Sequence, residues 1–480
     1  MDRRSFMKTS IGTALGLSAV GLNTHVLGAN ETVRVGIIGV GIKGTSHAKH
    51  LMKIPGAKLV ALADPDPAYH MNKLCDELAK TENPVKVDTY TDFRKLLDRK
   101  DIDAVIIASP NHWHALHAIH ALQSGKHVYL EKPTSHTVWE GQQMVNLAKK
   151  SGLVVQAGLH HRSRNCWPEI IEYLKEEHLG NIICARGLCY KRRGSIGKLD
   201  TPATPPKSCD YNLWLGPALD EPILRPKFHY DWHWVWNTGN GDIGNQGVHQ
   251  LDIARWLLGQ NGYPEKIFSL GGRFGYEDAG QTPNSQIIFY DYKPVPLIFE
   301  VRGLPARPDV NAMPLYKNTR IGTIVECEDG FISEEAAYDR NGKRIHKFSG
   351  HGGENHLPRF IDAVRNNQKE KVACSLEDGQ VSTNLCHLAS ISHRIGEKAT
   401  PADITDAFRS NPFGAETWRR LIEHLVINEV DLNKTKATLG PALTFDGAGE
   451  QFTGTMAEKA NAMLKKNYRP GWDVPEIAAS

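Results

Sequence analysis

The sequence lacks the features of a zinc ribbon, a membrane protein or a nucleic-acid-binding protein. Its eight cysteines include no C-x-x-C pair, so their spacing predicts neither a zinc ribbon nor a disulfide framework. No apolar run is long enough for a transmembrane helix. The formal net charge is only +3, and Asp2, Arg3, Arg4 and Lys8 together account for +2 of it. We therefore expect no nucleic-acid partner, and no membrane partner beyond export.

The first 30 residues are typical of an export signal. Arg3 and Arg4 precede a mildly apolar run over residues 11–22, and Ala29 provides a small residue for cleavage. This order resembles a twin-arginine signal, whose apolar run is too short to span a bilayer as a stable helix. We therefore expect residues 1–30 to be a leader and the mature protein to be periplasmic. A basic tail on a cytoplasmic protein is the alternative interpretation.

Length and the order of predicted elements divide the rest of the chain into three regions. At 480 residues the chain exceeds one ordinary core, so two or three domains are expected. Alternating strands and helices predict a doubly wound parallel sheet over residues 31–157. Period-two strands predict an α+β domain with a large, open, mostly antiparallel sheet over 158–400. Residues 401–480 are predicted to be a helical C-terminal extension, and the fold class is α/β.

A glycine-rich loop follows the first predicted strand. The strand covers residues 33–38, and a helix-compatible segment from 45 to 53 comes directly after the loop. The loop has G-x-G-x-x-G spacing and comprises Gly39, Gly41, Ile42, Lys43 and Gly44. Its glycines allow a tight turn, close approach of the backbone to a diphosphate, and close packing of helix on sheet. Because a helix N-terminus offers unpaired N–H groups, this order predicts a dinucleotide site.

Asp64 ends the second predicted strand, twenty residues after Gly44. A carboxylate at this position accepts hydrogen bonds from ribose hydroxyls and repels a 2′-phosphate, so NAD is favoured over NADP. The alternative is a glycine-rich turn in an α/β protein that binds no nucleotide.

Two later strand ends supply further polar residues. The apolar strand at 104–108 runs into SPNHWH, and the strand at 127–130 runs into EKP. Open α/β sheets bind ligands at the carboxyl ends of their strands. We therefore expect cofactor contacts from Ser109, Pro110, Asn111, His114, Glu131 and Lys132.

Together with GDIGNQGVHQLD at residues 241–252, these motifs resemble the Gfo/Idh/MocA superfamily of NAD(P)-dependent sugar and polyol oxidoreductases. The resemblance extends over roughly residues 33–398. It implies NAD as the cofactor, a small-molecule carbohydrate as the substrate and a homo-oligomeric assembly. The leader, a tryptophan-rich insert at residues 210–236 and the long tail look like those of an exported bacterial subgroup.

The resemblance also implies catalytic roles. Lys132 of the EKP motif would contact substrate and move the proton of its hydroxyl group, and His249 matches the family's catalytic histidine. Where typical members have an aspartate, this sequence has Asn245, which can orient a hydroxyl but cannot act as a carboxylate base. We expect Lys132 and His249 to handle the proton, with Asn245 positioning the oxygen. The alternatives are a surface lysine paired with Glu131, and a core or capping histidine.

Substrate contacts are expected from two more regions. In relatives the position of Arg162 faces cofactor or substrate, and Asp252 lies close to His249 in sequence. If residues 232–236 are extended, one side of the strand would present a stacking platform for a pyranose, whereas packing in the core is the alternative. The platform residues are Trp232, Trp234 and Trp236. No metal is expected, because the nearby histidines show no recognised ligand spacing.

These expectations combine into one hypothesis and two alternatives. The leading hypothesis is an NAD-dependent oxidoreductase that interconverts a hydroxyl and a ketone on a sugar or glycoside, with its cofactor tightly bound. The first alternative is an NAD-dependent glycosidase that acts by transient oxidation, elimination and re-reduction. The second is a dinucleotide-binding protein without catalysis, which only the Asn245 departure supports.

Overall fold

The structure is a computed structural model and describes residues 32–350 and 355–479. The predicted twin-arginine leader at 1–30 lies outside these residues. In the part of the chain that is described, no helix is both long and apolar enough to cross a membrane.

The first sheet is built from short strands, most of which are almost wholly buried. Such strands are expected where helices cover both faces of a parallel sheet. Its elements are β1 (Val33–Ile38), α1 (Ile42–Leu51), β2 (Ala57–Ala63), α2 (Met71–Ala79), β3 (Asp88–Tyr90), α3 (Phe93–Leu97), β4 (Ala104–Ile107), α4 (His114–Gln123), β5 (His127–Leu130), α5 (Val138–Ser151) and β6 (Val155–Ala157). All pairings are parallel, in the order β3-β2-β1-β4-β5-β6.

The strand order reverses direction between β1 and β4, and this is the point where doubly wound sheets bind ligands. The predicted Rossmann sheet is therefore confirmed, and its switch point is where we expect the cofactor.

The second sheet has ten strands and is mostly antiparallel, as predicted. Only the pairing of β10 with β7 is parallel. The order is β14-β13-β12-β11-β7-β10-β9-β8-β16-β15, with the elements α6 (Trp167–Lys175), β7 (Ile182–Tyr190), α7 (Tyr211–Leu215), α8 (Val248–Leu257), β8 (Ile267–Gly272), β9 (Ser285–Tyr290), β10 (Leu297–Arg302), β11 (Ile321–Cys327), β12 (Gly330–Ser333), β13 (Ala336–Asp339), β14 (Arg344–Lys347), α9 (His356–Arg365), α10 (Leu376–Arg394), β15 (Glu397–Ala399), α11 (Pro401–Ala407), α12 (Pro412–Ile427), β16 (Ala437–Leu439), β17 (Thr444–Asp446), β18 (Gln451–Thr453) and α13 (Ala457–Asn461).

Helices cover both faces of the central strands of this sheet. Leu251 of α8 and Leu388 of α10 pack with Phe299 of β10 on one face. Leu421 of α12 packs with Ile298 of the same strand on the other face. Because side chains alternate along a strand, neighbouring residues of β10 serve the two separate cores.

The C-terminal region differs from the helical extension that was predicted. It contains helices α11 to α13 but also three short strands, and β16 joins the ten-stranded sheet beside β8. The end of the chain then returns to the first domain, where Trp472 and Val474 pack against the α4 face. Sheet edges and a distant core supply these contacts, and local periodicity does not reveal them.

Helix α9 also crosses between the two regions. It lies in the predicted second domain in sequence, but Leu357, Phe360 and Ile361 pack with β1 and β4 of the first sheet. Its amphipathic face is read correctly from sequence, whereas the choice of partner depends on tertiary structure.

Candidate active site at the nucleotide-binding edge

The loop after β1 forms a cradle that only glycine permits. Gly39 has φ +85°, and a Cβ on it would lie 2.5 Å from the backbone nitrogen of Ser109. A Cβ on Gly44 would lie 2.0 Å from the carbonyl oxygen of Gly39. At Gly41, by contrast, the nearest atom to an added Cβ is a Tyr69 carbon at 3.9 Å. The loop is therefore tightly packed behind and open in front, as a bound diphosphate requires.

The N-terminus of α1 is available to an anion. Gly41 is the N-cap residue and provides no side-chain cap. The N–H groups of the first helical turn are therefore free to donate hydrogen bonds to a ligand. The donor set, the glycine cradle and the fold all fit an NAD diphosphate.

Asp64, immediately after β2, supports this loop directly. Its Oδ2 accepts a hydrogen bond from the Val40 N–H at 2.6 Å, and its Oδ1 accepts one from the Asp66 N–H at 2.8 Å. Burial raises the pKa of Asp64 to about 6, although the two backbone N–H groups oppose that rise. The carboxylate still lines the cavity in front of the loop.

That cavity has a volume of about 480 Å³ and collects nearly all the predicted cofactor residues. Gly44 lies behind the loop instead, where it packs on Gly39. The predicted residues that line the cavity are Gly39, Gly41, Ile42, Lys43, Asp64, Ser109, Pro110, Asn111, His114, Glu131 and Lys132, together with Asn245 and Trp232. The residues that the strand-end argument predicted thus lie around one cavity.

His114 and Asn111 hold the strand ends in place. The imidazole of His114 lies between two carbonyl oxygens, with Nδ1 2.6 Å from that of Pro133 and Nε2 2.9 Å from that of Ser109. Burial lowers its pKa. The Asn111 amide donates from Nδ2 to Oδ1 of Asn240 at 2.9 Å. Both side chains tie the turn after β4 to neighbouring turns.

Glu131 and Lys132 have different partners, so they do not form the simple surface pair that was the alternative. Glu131 Oε1 lies 2.8 Å from Nε2 of His47 and 3.4 Å from Nζ of Lys43. Burial on its own would raise the pKa of Glu131, but Lys43 and His47 outweigh it and hold that pKa well below its usual range.

Lys132 donates from Nζ to the backbone oxygen of Asn245 at 2.6 Å. Burial lowers the pKa of Lys132 to about 8, against the opposing influence of Glu131. Asn245 belongs to a π-helical turn, Ile243–Gly247, that leads into α8. Single π-helical turns often occur at functional sites, and this one aims a backbone carbonyl at the lysine.

His249 lies deeper than the hypothesis required. It is only 4% exposed and lies outside the cavity lining, in contact with the rings of His160 (4.6 Å between centroids) and His161 (4.7 Å, stacked). Burial and the two neighbouring imidazoles lower its pKa well below the usual value. His160 and His161 were not singled out from the sequence, although they directly follow the end of β6.

Arg162 and Asp252, both predicted to bind substrate, bind each other. The guanidinium donates from Nε and Nη2 to the two oxygens of Asp252, each at 2.8 Å, and Ser382 donates to Oδ1 at 2.7 Å. Both side chains are buried and outside the cavity lining. A bidentate pair of this kind satisfies both partners, so a direct contact with substrate is not supported.

The tryptophan platform is not formed, because residues 231–234 are a 3₁₀ turn rather than an extended strand. Trp232 lines the cavity and stacks on His233 at 3.6 Å. Trp234 is buried under the guanidinium of Arg193 at 4.6 Å. Trp236 faces a different cavity. The period-two interpretation of this segment is therefore wrong.

The insert that carries these tryptophans adds cavity residues that the sequence did not reveal. Lys191 and Tyr230 line the same cavity. His229 stacks on Tyr69 at 3.7 Å and lies 2.8 Å from Oδ2 of Asp66, next to Asp64. Over residues 32–350 and 355–479, no group of three metal-ligating side chains is arranged to hold a metal ion.

The fold and the glycine-rich loop define an NAD-binding Rossmann domain. Residues 33–159 match the oxidoreductase family with an NAD-binding Rossmann fold, and residues 184–290 match the C-terminal α/β domain of the same family. The two matched segments are therefore similar to the two domains of the Gfo/Idh/MocA oxidoreductases, and NAD is the cofactor of the first.

Solved structures share this fold. The WlbA dehydrogenase from Bordetella pertussis, in complex with NADH and UDP-GlcNAcA, superimposes with a TM-score of 0.56 at 17% identity, covering 76% of this chain and 97% of that one. GenD2 from gentamicin A biosynthesis, in complex with NAD, gives a TM-score of 0.54 at 17% identity, covering 76% and 95%.

Curated relatives are similar over a shorter segment. A glycosyl hydrolase family 109 protein from Shewanella pealeana is 34% identical over 178 residues, which is 32% of this chain and 38% of that protein. An alpha-N-acetylgalactosaminidase from Shewanella oneidensis is 38% identical over 140 residues, 28% of this chain and 29% of that protein. The chain thus spans only about a third of the length of the curated relatives it matches.

Proposed function

We propose that this protein is an NAD-dependent oxidoreductase that interconverts a hydroxyl and a ketone on a sugar or glycoside. The observation that carries the proposal is Lys132, whose ammonium group lies in the wall of the cofactor cavity with a lowered pKa. When bound, NAD supplies the hydride acceptor for a carbinol carbon. The protein's part is to bind, orient and move the proton.

Lys132 is suited to move that proton. With a pKa of about 8, the amine and ammonium forms are both populated near neutral pH, so the side chain can accept a hydroxyl proton or return it. Its hydrogen bond to the Asn245 carbonyl holds Nζ in one place. His249 would be a positioning residue: it is buried beyond the cavity lining and neutral, so it would support the cavity wall rather than act as a charged acid.

Asp64 supports the choice of NAD over NADP. Its carboxylate lies at the end of β2, lines the cavity and is ionised above a pH of about 6. A 2′-phosphate brought to this position would meet a buried negative charge.

A glycosidase is the second candidate, and the names of the curated relatives favour it. Oxidation at one sugar carbon acidifies its neighbour, so a proton and the glycosidic group can be eliminated. Water then adds to the double bond that is formed, and the ketone is reduced again by the hydride that was removed first. Such a cycle consumes no cofactor overall, so the same residues would serve both reactions.

One experiment separates the two candidates. Purified full-length protein with its bound cofactor is incubated with aryl glycosides and with free sugars, and aglycone and absorbance at about 340 nm (reduced nicotinamide) are followed together. Aglycone without net NADH supports the glycosidase, whereas NADH with no aglycone supports the dehydrogenase. If the bound NAD is not reduced and no aglycone is released by the protein with Lys132 intact, the non-catalytic alternative is favoured.

Two further expectations are part of the proposal. We propose export by the twin-arginine route to the periplasm, supported by the Arg3-Arg4 leader, and a homo-oligomer, supported by the family resemblance. Cell fractionation of the full-length protein and of an Arg3→Lys/Arg4→Lys variant tests the first. Light scattering tests the second.

A further inference from the structure

A second cavity, comparable in volume to that of the cofactor site, lies between the tryptophan-rich insert, α10 and the C-terminal tail. It encloses about 500 Å³. None of the residues proposed to bind the cofactor or to move the proton lines it. Its lining is rich in amide, hydroxyl and imidazole groups, with a smaller apolar part, so it differs from a hydrophobic docking groove.

The cations of this cavity are not balanced by acids. Lys466 pairs with Glu140 at 3.2 Å. Arg394 lies over the ring of Trp236 at 5.2 Å and Lys465 over the ring of Trp139 at 3.7 Å, and no carboxylate in the described ranges forms an ion pair with either. Burial lowers the pKa of Arg394 with no acidic neighbour to oppose it. Glu221 is the one carboxylate in the lining described, which leaves an excess of one positive charge.

The arrangement around Arg394 resembles a prepared anion receptor. The guanidinium lies over the Trp236 ring, and no side chain or carbonyl of the described residues accepts a hydrogen bond from it, so its forked N–H donors are available to a ligand. The same wall offers the side-chain amides of Gln281 and Asn467. The Gln281 oxygen accepts from the Trp236 N–H, which leaves its amide nitrogen to donate to a hydroxyl group, and the Asn467 amide can both donate and accept. A ligand with one carboxylate and several hydroxyls would satisfy both sets of groups.

We propose that this cavity is a second binding site, specific for an acidic saccharide whose carboxylate pairs with Arg394 and Lys465. The two cavities share a wall. Asn240 lines the second cavity and accepts the hydrogen bond of Asn111, which lines the first. Asn240 also donates to the backbone oxygen of His136, and Lys466 lies 2.9 Å from the ring of that histidine.

Titration calorimetry on the full-length protein with its bound cofactor tests the proposal without any turnover, so its outcome is independent of the proposed function. The probes are glucuronate, glucose and inorganic sulfate. Glucuronate should bind at least tenfold more tightly than glucose or sulfate. Arg394→Gln should weaken glucuronate binding at least tenfold and Lys465→Gln about threefold, whereas Arg409→Gln, at an exposed arginine paired with Asp406, should change nothing.

Three results would overturn the proposal. Equal affinity for sulfate and glucuronate would show an adventitious anion site only. Equal affinity for glucose and glucuronate would show that no carboxylate is recognised. Unchanged glucuronate binding in both Arg394→Gln and Lys465→Gln, with melting temperatures like that of the parent, would place the acidic sugar in the cofactor cavity instead.

Discussion

The ammonium group of Lys132 donates to the backbone oxygen of Asn245 at 2.6 Å, which joins the end of β5 to the π-helical turn before α8. One partner comes from the nucleotide-binding domain and the other from the second domain. The reacting wall of the cavity is thus assembled from both domains, and the lysine is held by an uncharged acceptor. A carboxylate in that place would raise the pKa of the lysine, whereas a carbonyl leaves burial to lower it.

Replacing Lys132 by methionine should abolish most of the activity while keeping the cofactor. Because the side chain is argued to transfer a proton, its loss should lower kcat about 10²- to 10⁴-fold. Steady-state kinetics and release of NAD from the purified variant are the measurements. Lys434→Met, at an exposed lysine, is the matched control. Full turnover by the Lys132 variant would remove this residue from the mechanism.

The same lysine predicts a pH dependence of opposite sign in the two directions. Oxidation needs the neutral amine, so kcat/KM for a hydroxyl substrate should rise as pH increases and level off above about 8. Ketone reduction needs the ammonium form, so its rate should fall over the same interval. Rate profiles from pH 6 to 10 in both directions test this, and a flat profile in both would contradict it.

The glycine cradle predicts two different outcomes for one small change. Gly44→Ala places a Cβ 2.0 Å from the Gly39 carbonyl oxygen and should destabilise the fold. The Cβ of Gly41→Ala has no neighbour closer than 3.9 Å within the protein, so the melting temperature of this variant should change little. Its affinity for NAD should fall at least tenfold, because the Cβ occupies the space of the diphosphate. Thermal unfolding without added nucleotide and NAD titration separate the two effects. Loss of stability in Gly41→Ala would show that the loop has another role.

Charge at Asp64 should control which dinucleotide binds. Asp64→Asn removes the negative charge but keeps one acceptor for the Val40 N–H, so the preference for NAD over NADP should fall at least tenfold at pH 8, where the parent carboxylate is ionised. Near pH 5 the parent is largely protonated, and the difference between parent and variant should shrink. Competitive titration with both dinucleotides at the two pH values measures this. An unchanged preference would place the 2′-hydroxyl elsewhere.

The nucleotide domain was predictable because its signals are local. A buried strand, a spaced glycine triplet and an acid at the next strand end lie within 32 residues, and parallel strands must bring their carboxyl ends to one edge. The same logic placed Lys132 and Asn111 at that edge, and both line the cavity there. Arg162 and Asp252, however, are 90 residues apart in sequence, and no periodicity predicts that they pair with each other.

The extended conformation considered for the tryptophan-rich insert was wrong for a related reason. Alternation of Trp232, Trp234 and Trp236 suits a strand, but a 3₁₀ turn redistributes the same residues over two cavities and a buried cation–π contact. Of the side chains that cover the cavity, Lys191 directly follows β7, and Tyr230 depends on how the insert folds back over the first domain. Such contacts are tertiary and leave no pattern in the sequence.

The buried pair of Arg162 and Asp252 should stabilise the structure rather than bind substrate. Without Arg162, the buried Asp252 keeps only Arg255, 3.8 Å away, as an ionic partner, so Arg162→Met should lower the free energy of unfolding by up to about 3 kcal/mol. In the double variant Arg162→Met/Asp252→Leu no charge is left unpaired, and part of that loss should be recovered. Denaturant unfolding of the two single variants and the double variant forms the cycle. A large increase in KM with unchanged unfolding in Arg162→Met would instead return this arginine to the substrate site.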